Sequence, residues 1–265
     1  MRPRLASSLV LLILATATAT AMGAGSAHAA RFPAAWLPDE GEGYAVPPAW
    51  AERGLRYGTP ELVGLIERAA RTVADDVPGA VLYVGDLSLR DGGWTQWHRS
   101  HRNGCDADLI FFATDDDGEP APRPSAMARF DSDGVAWAGE TRLHFDTERN
   151  WALVRALVSD EDARVVRIFI AAPLRARLLA FAEEQGEPAE LIAHAAEVLG
   201  QPGDSQPHDD HMHVRIAAPV GVEEIVPQRT YARAGKAAAH RGRGQGKPHA
   251  RARKHGAKAK KHRKA

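Results

Sequence analysis

The chain of 265 residues contains one cysteine, Cys105, so no disulfide can form within it. The fold must hold by packing, or partly by a metal. A small buried residue at the entry to a strand is the simplest role for that thiol, although an unpaired thiol in an oxidising compartment is open to oxidation. No apolar run is long enough to span a bilayer. There is no glycine-rich phosphate loop and no internal repeat. Acidic residues are missing from residues 232–265, where 13 of the 34 Lys and Arg fall. That leaves 21 basic against 34 acidic residues elsewhere, so the zero net charge hides an acidic body with a basic tail. Large apolar residues also vanish from the tail. It cannot bury enough surface to offset ordering and is expected to be disordered.

At the other end, Arg2 and Arg4 precede a short apolar run over residues 9–15 and the small-residue pattern Ala27-His28-Ala29. This reads as a secretory signal peptide over residues 1–29. No cysteine near the cut offers a lipid attachment. The expected location is therefore periplasmic or secreted. Residues 30–58 are rich in Pro, Gly and aromatics and read as an N-terminal arm, tacked on by Phe32, Trp36, Tyr44, Trp50 and Tyr57. The catalytic domain is expected over residues 59–231.

Thr59-Pro60-Glu61 is a helix start: a cap, a first-turn proline and an acid at the positive dipole end. Further helices are expected over residues 147–158, 173–185 and 188–199, with strands over 80–84, 164–170 and 211–217. This alternation predicts a compact α+β domain, an antiparallel sheet flanked by helices. Asp115-Asp116-Asp117-Gly118 lacks the ligand spacing of an EF-hand and reads as a solvated turn. His194 sits inside a helix, where a surface or packed histidine is expected.

The chemistry gathers in two clusters. His98, His101, Cys105, Asp106 and Asp108 precede the apolar run Leu109-Ile110-Phe111-Phe112. About a hundred residues on comes His208-Asp209-Asp210-His211-Met212-His213. His211 and His213 are two apart on an expected strand, so both project from one face. A tetrahedral zinc site needs three protein ligands and an open position. His101, Asp108 and His213 can supply them, with His211 left beside the metal to act as general base and then acid. Zinc lowers the pKa of bound water to roughly 7 and polarises a carbonyl. Manganese and iron tolerate the same donors.

These motifs resemble the penicillin-insensitive murein endopeptidases, zinc peptidases related to lysostaphin-type and D-Ala-D-Ala carboxypeptidase enzymes. The similarity rests on residues 84–88, Gly92-Gly93, the run from His98 to Asp108 and the run from His208 to Arg215, within residues 59–217. The resemblance implies hydrolysis of peptidoglycan stem-peptide cross-links, chiefly the D-alanyl to meso-diaminopimelyl bond. It assigns Zn²⁺ to His101, Asp108 and His213 and the base to His211, with His208 an accessory catalytic residue. His98 is placed with the metal group at the edge of the site, its role open. Asp106 either orients a ligand or makes a strand-entry hydrogen bond. His144 and Asp146 match no motif. Arg102 stands where Gln commonly follows the first zinc histidine in the family.

A carboxypeptidase or dipeptidase of the same superfamily is the near alternative. A non-catalytic wall- or polyanion-binding protein is the distant one. The basic tail suits anionic envelope polymers rather than nucleic acid.

Overall fold

The computed structural model describes residues 32–201, 203 and 206–223. The expected signal peptide over residues 1–29 and the basic tail over 232–265 lie outside the described residues. The fold is α+β, as the alternation of patterns requires, with five helices and several small sheets among the described residues.

A four-stranded sheet positions the two clusters. Its order is Leu199–Gly200, Val165–Phe169, His211–Ile216, Asp106–Ile110. Asp106–Ile110 and Val165–Phe169 both pair antiparallel with His211–Ile216. The sheet is antiparallel at its centre, as expected, and the edge pair Val165–Phe169 with Leu199–Gly200 is parallel. Its connection runs through the helices Ala172–Glu184 and Ala189–Val198, long enough to return the chain in the same direction.

Side-chain alternation divides the central pair into two faces. Ala107, Leu109, Met212 and Val214 are buried in the core. The opposite face carries the register pairs Asp106 with Arg215, Asp108 with His213, and Ile110 with His211. A one-residue slip would bury the imidazoles among aliphatic side chains, so the apolar pattern fixes the register that builds the site.

The helix Pro60–Asp76 begins as expected, with Thr59 Oγ1 accepting from Leu62 N at 3.3 Å. Its buried face includes Leu62, Leu65, Ile66, Ala69, Ala70 and Val73. The helix Thr147–Val158 is capped by Asp146 and buries Trp151, Val154 and Leu157. The expected strand over 80–84 is reduced to Leu82–Tyr83, which runs parallel to Tyr44–Ala45.

That pairing draws residues 35–58 into the domain. Ala35–Trp36 pairs with Tyr57–Gly58, and Tyr44 and Trp50 are buried. Arg56 is fully buried beneath this stretch. Its guanidinium donates to Asp39 Oδ1 and to the carbonyls of Leu37 and Pro38, each at 2.6 Å. Short strands with little apolar surface are held here by charge-assisted hydrogen bonds that the sequence pattern does not reveal.

The loop that brings in His101 depends on Gly104. Its φ is 75°, and a Cβ there would lie 2.3 Å from Phe32 Cε2. Its amide donates to Ser88 Oγ, and its carbonyl accepts from Thr59 N. Gly104→Ala should therefore cost at least ~1–2 kcal/mol from backbone handedness alone, and more from the clash. Thermal unfolding checks this; an unchanged midpoint would show that the loop relaxes freely.

Candidate metal centre

The loop brings His98 and His101 over the face of the central strand pair. Two groups of potential ligands meet there. His98, His101 and Asp108 form one; His208, His211 and His213 form the other. The tightest set crosses between them. His101 Nε2 lies 3.2 Å from His213 Nδ1, His213 Nδ1 lies 3.1 Å from Asp108 Oδ1, and His101 Nε2 lies 3.2 Å from Asp108 Oδ1. Bonds of about 2.0–2.1 Å to a tetrahedral metal separate its donors by about 3.3 Å. The triangle fits one face of such a tetrahedron.

The hydrogen bonds behind the triangle fix its chemistry. His101 Nδ1 faces the carbonyl of Leu87 at 2.9 Å. A carbonyl only accepts, so Nδ1 carries the proton and Nε2 presents a lone pair. His213 Nε2 lies 2.9 Å from Asp106 Oδ1 and donates to it, leaving the Nδ1 lone pair inward. Two imidazole lone pairs and a carboxylate oxygen thus face one another within hydrogen-bond distance. Three acceptors so placed require a cation or a proton between them. Asp106 is held in turn by Arg215, through Nε to Oδ1 at 2.8 Å and Nη2 to Oδ2 at 2.9 Å. A carboxylate or carbonyl behind each metal-binding histidine is the arrangement that sets tautomer and ring angle in metal sites.

His211 lies beside this triangle. Its Nε2 is 3.3 Å from Asp108 Oδ1, and its Nδ1 donates to Asp210 Oδ1 at 2.6 Å. His208 packs edge-on against His211 with ring centroids 5.1 Å apart, and its Nδ1 is buried without a partner among the described residues. His98 stacks on His101 at 4.0 Å. Its Nε2 lies 2.7 Å from Asp86 Oδ2 and 3.7 Å from Asp108 Oδ2. Asp86 also takes Arg53 Nη1 at 2.8 Å. All five histidines of the two clusters are therefore brought together.

Asp106 bonds to His213, a histidine of the triangle, and to Arg215 on the same strand. Cys105 is buried, as expected for a packing residue. His144 and Asp146 lie outside the cluster: His144 pairs with Asp116, and Asp146 caps a helix. Four supporting groups were assigned no role from sequence, namely Asp210, Asp86, Arg53 and Arg215. Asp86 and Arg215 lie inside the runs that carry the resemblance and Asp210 adjoins His211, whereas Arg53 had no signal in the sequence.

Titration follows from burial and pairing. Burial opposes charge on His211, but the Asp108 charge and hydrogen bonds to Asp108 and Asp210 outweigh it and raise the imidazole to about 10. Burial also opposes charge on His213, and Asp106 and Asp108 outweigh it, raising the ring to about 9. Burial would raise Asp106, yet His213 and Arg215 bring it to about 2. Burial likewise acts against Asp108, while His101 and His211 hold it well below the ordinary carboxyl value. His208 is lowered to about 4, first by burial and then by its cationic neighbours.

Without metal, protons on His211 and His213 compensate the buried carboxylates. Their raised pKa values contribute stability that is complete below about 6.5 and lost as pH rises through about 9 to 10. The depressed Asp106 contributes stability present above about 3.8 and lost as pH falls through about 2. The metal-stripped protein should therefore lose thermal stability between pH 7 and 10. Added metal, which displaces the protons, should flatten that fall. Thermal unfolding with and without a chelator checks this, and a flat profile for stripped protein would contradict it.

The family model described as penicillin-insensitive murein endopeptidase matches residues 23–263. A protein of that name from Haemophilus influenzae is 28% identical over 194 residues, covering 69% of this chain and 58% of the relative. One from Escherichia coli is 27% identical over 200 residues, covering 72% and 64%. The chain thus spans less than two thirds of the length of these curated relatives. With the family model matching most of its length, the chain belongs to the penicillin-insensitive murein endopeptidase family.

Proposed function

We propose that this chain is a zinc-dependent peptidase that cleaves peptide cross-links of peptidoglycan, at the bond between D-alanine and meso-diaminopimelate. The observation that carries the reading is the triangle of His101 Nε2, Asp108 Oδ1 and His213 Nδ1, with His211 beside it. Two imidazoles and one carboxylate are a donor set that zinc accepts in hydrolytic sites. When bound there, the metal supplies a Lewis acid for the scissile carbonyl and an activated water near neutral pH.

The chain's own groups do the proton work. With a cation at the triangle offsetting the Asp108 charge that otherwise keeps the ring protonated, His211 Nε2 takes the proton of the attacking water, while Asp210 holds the Nδ1–H and stabilises the imidazolium that forms. His211 then gives that proton to the departing amine, so the products are a carboxylic acid end and a free amino group. His208 stays neutral because of its burial and offers an N–H to the carbonyl oxygen as negative charge develops. His98 is a further candidate ligand, next to the second oxygen of Asp108.

The signal-like residues 1–29 support a site of action outside the cytoplasm, and no helix among the described residues is long and apolar enough to cross a membrane. The thirteen basic residues of the tail would hold the enzyme to anionic envelope polymers, an attraction that added salt weakens. Purified cross-linked muropeptide dimers test the central reading. They should be converted to monomers by the protein, and a chelator should stop the conversion. Release of terminal D-Ala with dimers intact would indicate a carboxypeptidase instead.

A further inference from the structure

A cavity of about 520 Å³ opens beside the metal centre. Its size falls in the usual range for ligand sites. Two observations join it to the catalytic face. Ile110, on its wall, is the strand partner of His211. Asp210, which holds His211 Nδ1, also lines it. The metal ligand Asp108 lies two residues before Ile110 on the same strand face.

The cavity is apolar along its length and charged at particular points. Phe111 and Phe130 form part of the wall, and each packs edge-on against Phe145, with centroids 5.1 and 5.8 Å away. This interlock keeps the wall in shape without a ligand. Trp137 also lines the cavity and is 63% exposed, an indole that the core does not use.

Arg149 lines the cavity too. Its Nη1 is taken by Asp146 Oδ2. Its Nε, on the opposite edge of the guanidinium, is buried and without a hydrogen-bond partner among the described residues. With Nε buried and Nη1 taken, Nη2 is the guanidinium nitrogen left to a carboxylate entering the cavity. The neighbouring Asn150 binds both the amide and the carbonyl of Phe112, which fixes this end of the cavity four residues beyond Asp108. At roughly 3.3 Å per extended residue, that end is at most about 13 Å along the chain from the metal ligand. The other cavity charges are engaged: Arg123 pairs with Glu40, and Asp210 pairs with His211.

We propose that this cavity is a substrate subsite for an extended, largely aliphatic segment of stem peptide leading away from the scissile bond. A carboxylate of that segment pairs with Arg149. Up to about four residues of extended chain span the distance. The inference rests on the peptidase reading and assigns it a specificity determinant: a free carboxylate at one fixed distance from the bond that is cut.

The test uses metal-loaded protein and muropeptide dimers whose stem carboxylates are converted to carboxamides one position at a time. Amidation at one position should raise KM roughly ten- to hundredfold, the loss expected for a charge-assisted pair, and leave kcat within about twofold. Arg149→Gln should raise KM for the unmodified dimer to the same level and abolish the preference for acid over amide. Arg149→Lys, which keeps a cation beside Asp146, should retain part of that preference. Equal KM for every amidated dimer, or a preference that survives Arg149→Gln, would overturn the subsite while leaving the peptidase reading intact. Loss of kcat on all substrates together with a lowered unfolding midpoint in both variants would also overturn it, by showing a structural role. If unmodified dimers are not cleaved at all, the peptidase reading fails first and the subsite falls with it.

Discussion

His211→Ala should lower kcat for dimer cleavage by about 10²–10⁴-fold, the usual contribution of a positioned acid–base group, while the protein keeps its metal. The triangle of His101, Asp108 and His213 does not include His211, so its donors remain in place. What is lost is a proton acceptor 3.3 Å from Asp108 Oδ1 and held by Asp210. KM should change little, because the ring is assigned to proton transfer rather than binding. Asp210→Asn should have a smaller effect in the same direction. The amide still reaches Nδ1 but no longer stabilises the imidazolium, so the pH–rate profile should shift its lower limb upon this substitution. Metal content measured with single-turnover cleavage separates these outcomes. A His211→Ala variant with undiminished kcat would remove the residue from the role of base.

His213→Ala should have the opposite signature: metal is lost, and activity with it. Two of the three sides of the triangle end on His213 Nδ1. The same substitution removes the imidazole that Asp106 and Asp108, both buried, share, leaving Asp106 to Arg215 and Asp108 to His101 and His211. Breaking a buried charge pair in this way costs about 3–5 kcal/mol, so the variant should also unfold at a lower temperature. Asp106→Asn is the milder probe. It keeps the donor atoms but loosens the carboxylate behind His213, and should weaken metal affinity by roughly 10–100-fold. His98→Ala should weaken it less than His213→Ala, because its Nε2 lies outside the triangle and is bonded to Asp86. Competition with a coloured chelator gives all three affinities. Full metal occupancy in His213→Ala would contradict the assigned ligand set.

The contrast between the two variants shows what the sequence made legible. The His-x-His spacing on a strand with apolar alternate positions put His211 and His213 on one face, and the structure has them there. The apolar run after Asp108 announced the paired strand, and the cap at Thr59 announced the first long helix. Local pattern carries such information because it depends on neighbours in the chain. The supporting partners were not legible for the complementary reason. Asp86 reaches His98, Leu87 O reaches His101, and Arg53 reaches Asp86 only through the tertiary fold. The short parallel pairings escaped notice because two-residue strands leave no periodicity to read. Arg56 likewise has no local pattern to mark it, yet it is fully buried and holds residues 37–39 by its guanidinium.

The central claim is that one metal, held by His101, Asp108 and His213, powers cleavage of peptidoglycan cross-links. The most direct measurement is the rate of muropeptide dimer cleavage as zinc is returned stepwise to stripped protein. The account predicts no cleavage without metal, a linear rise, and a break at about one equivalent, as a single three-ligand site requires. Cleavage by fully stripped protein, or intact dimers after one equivalent has bound, would contradict it.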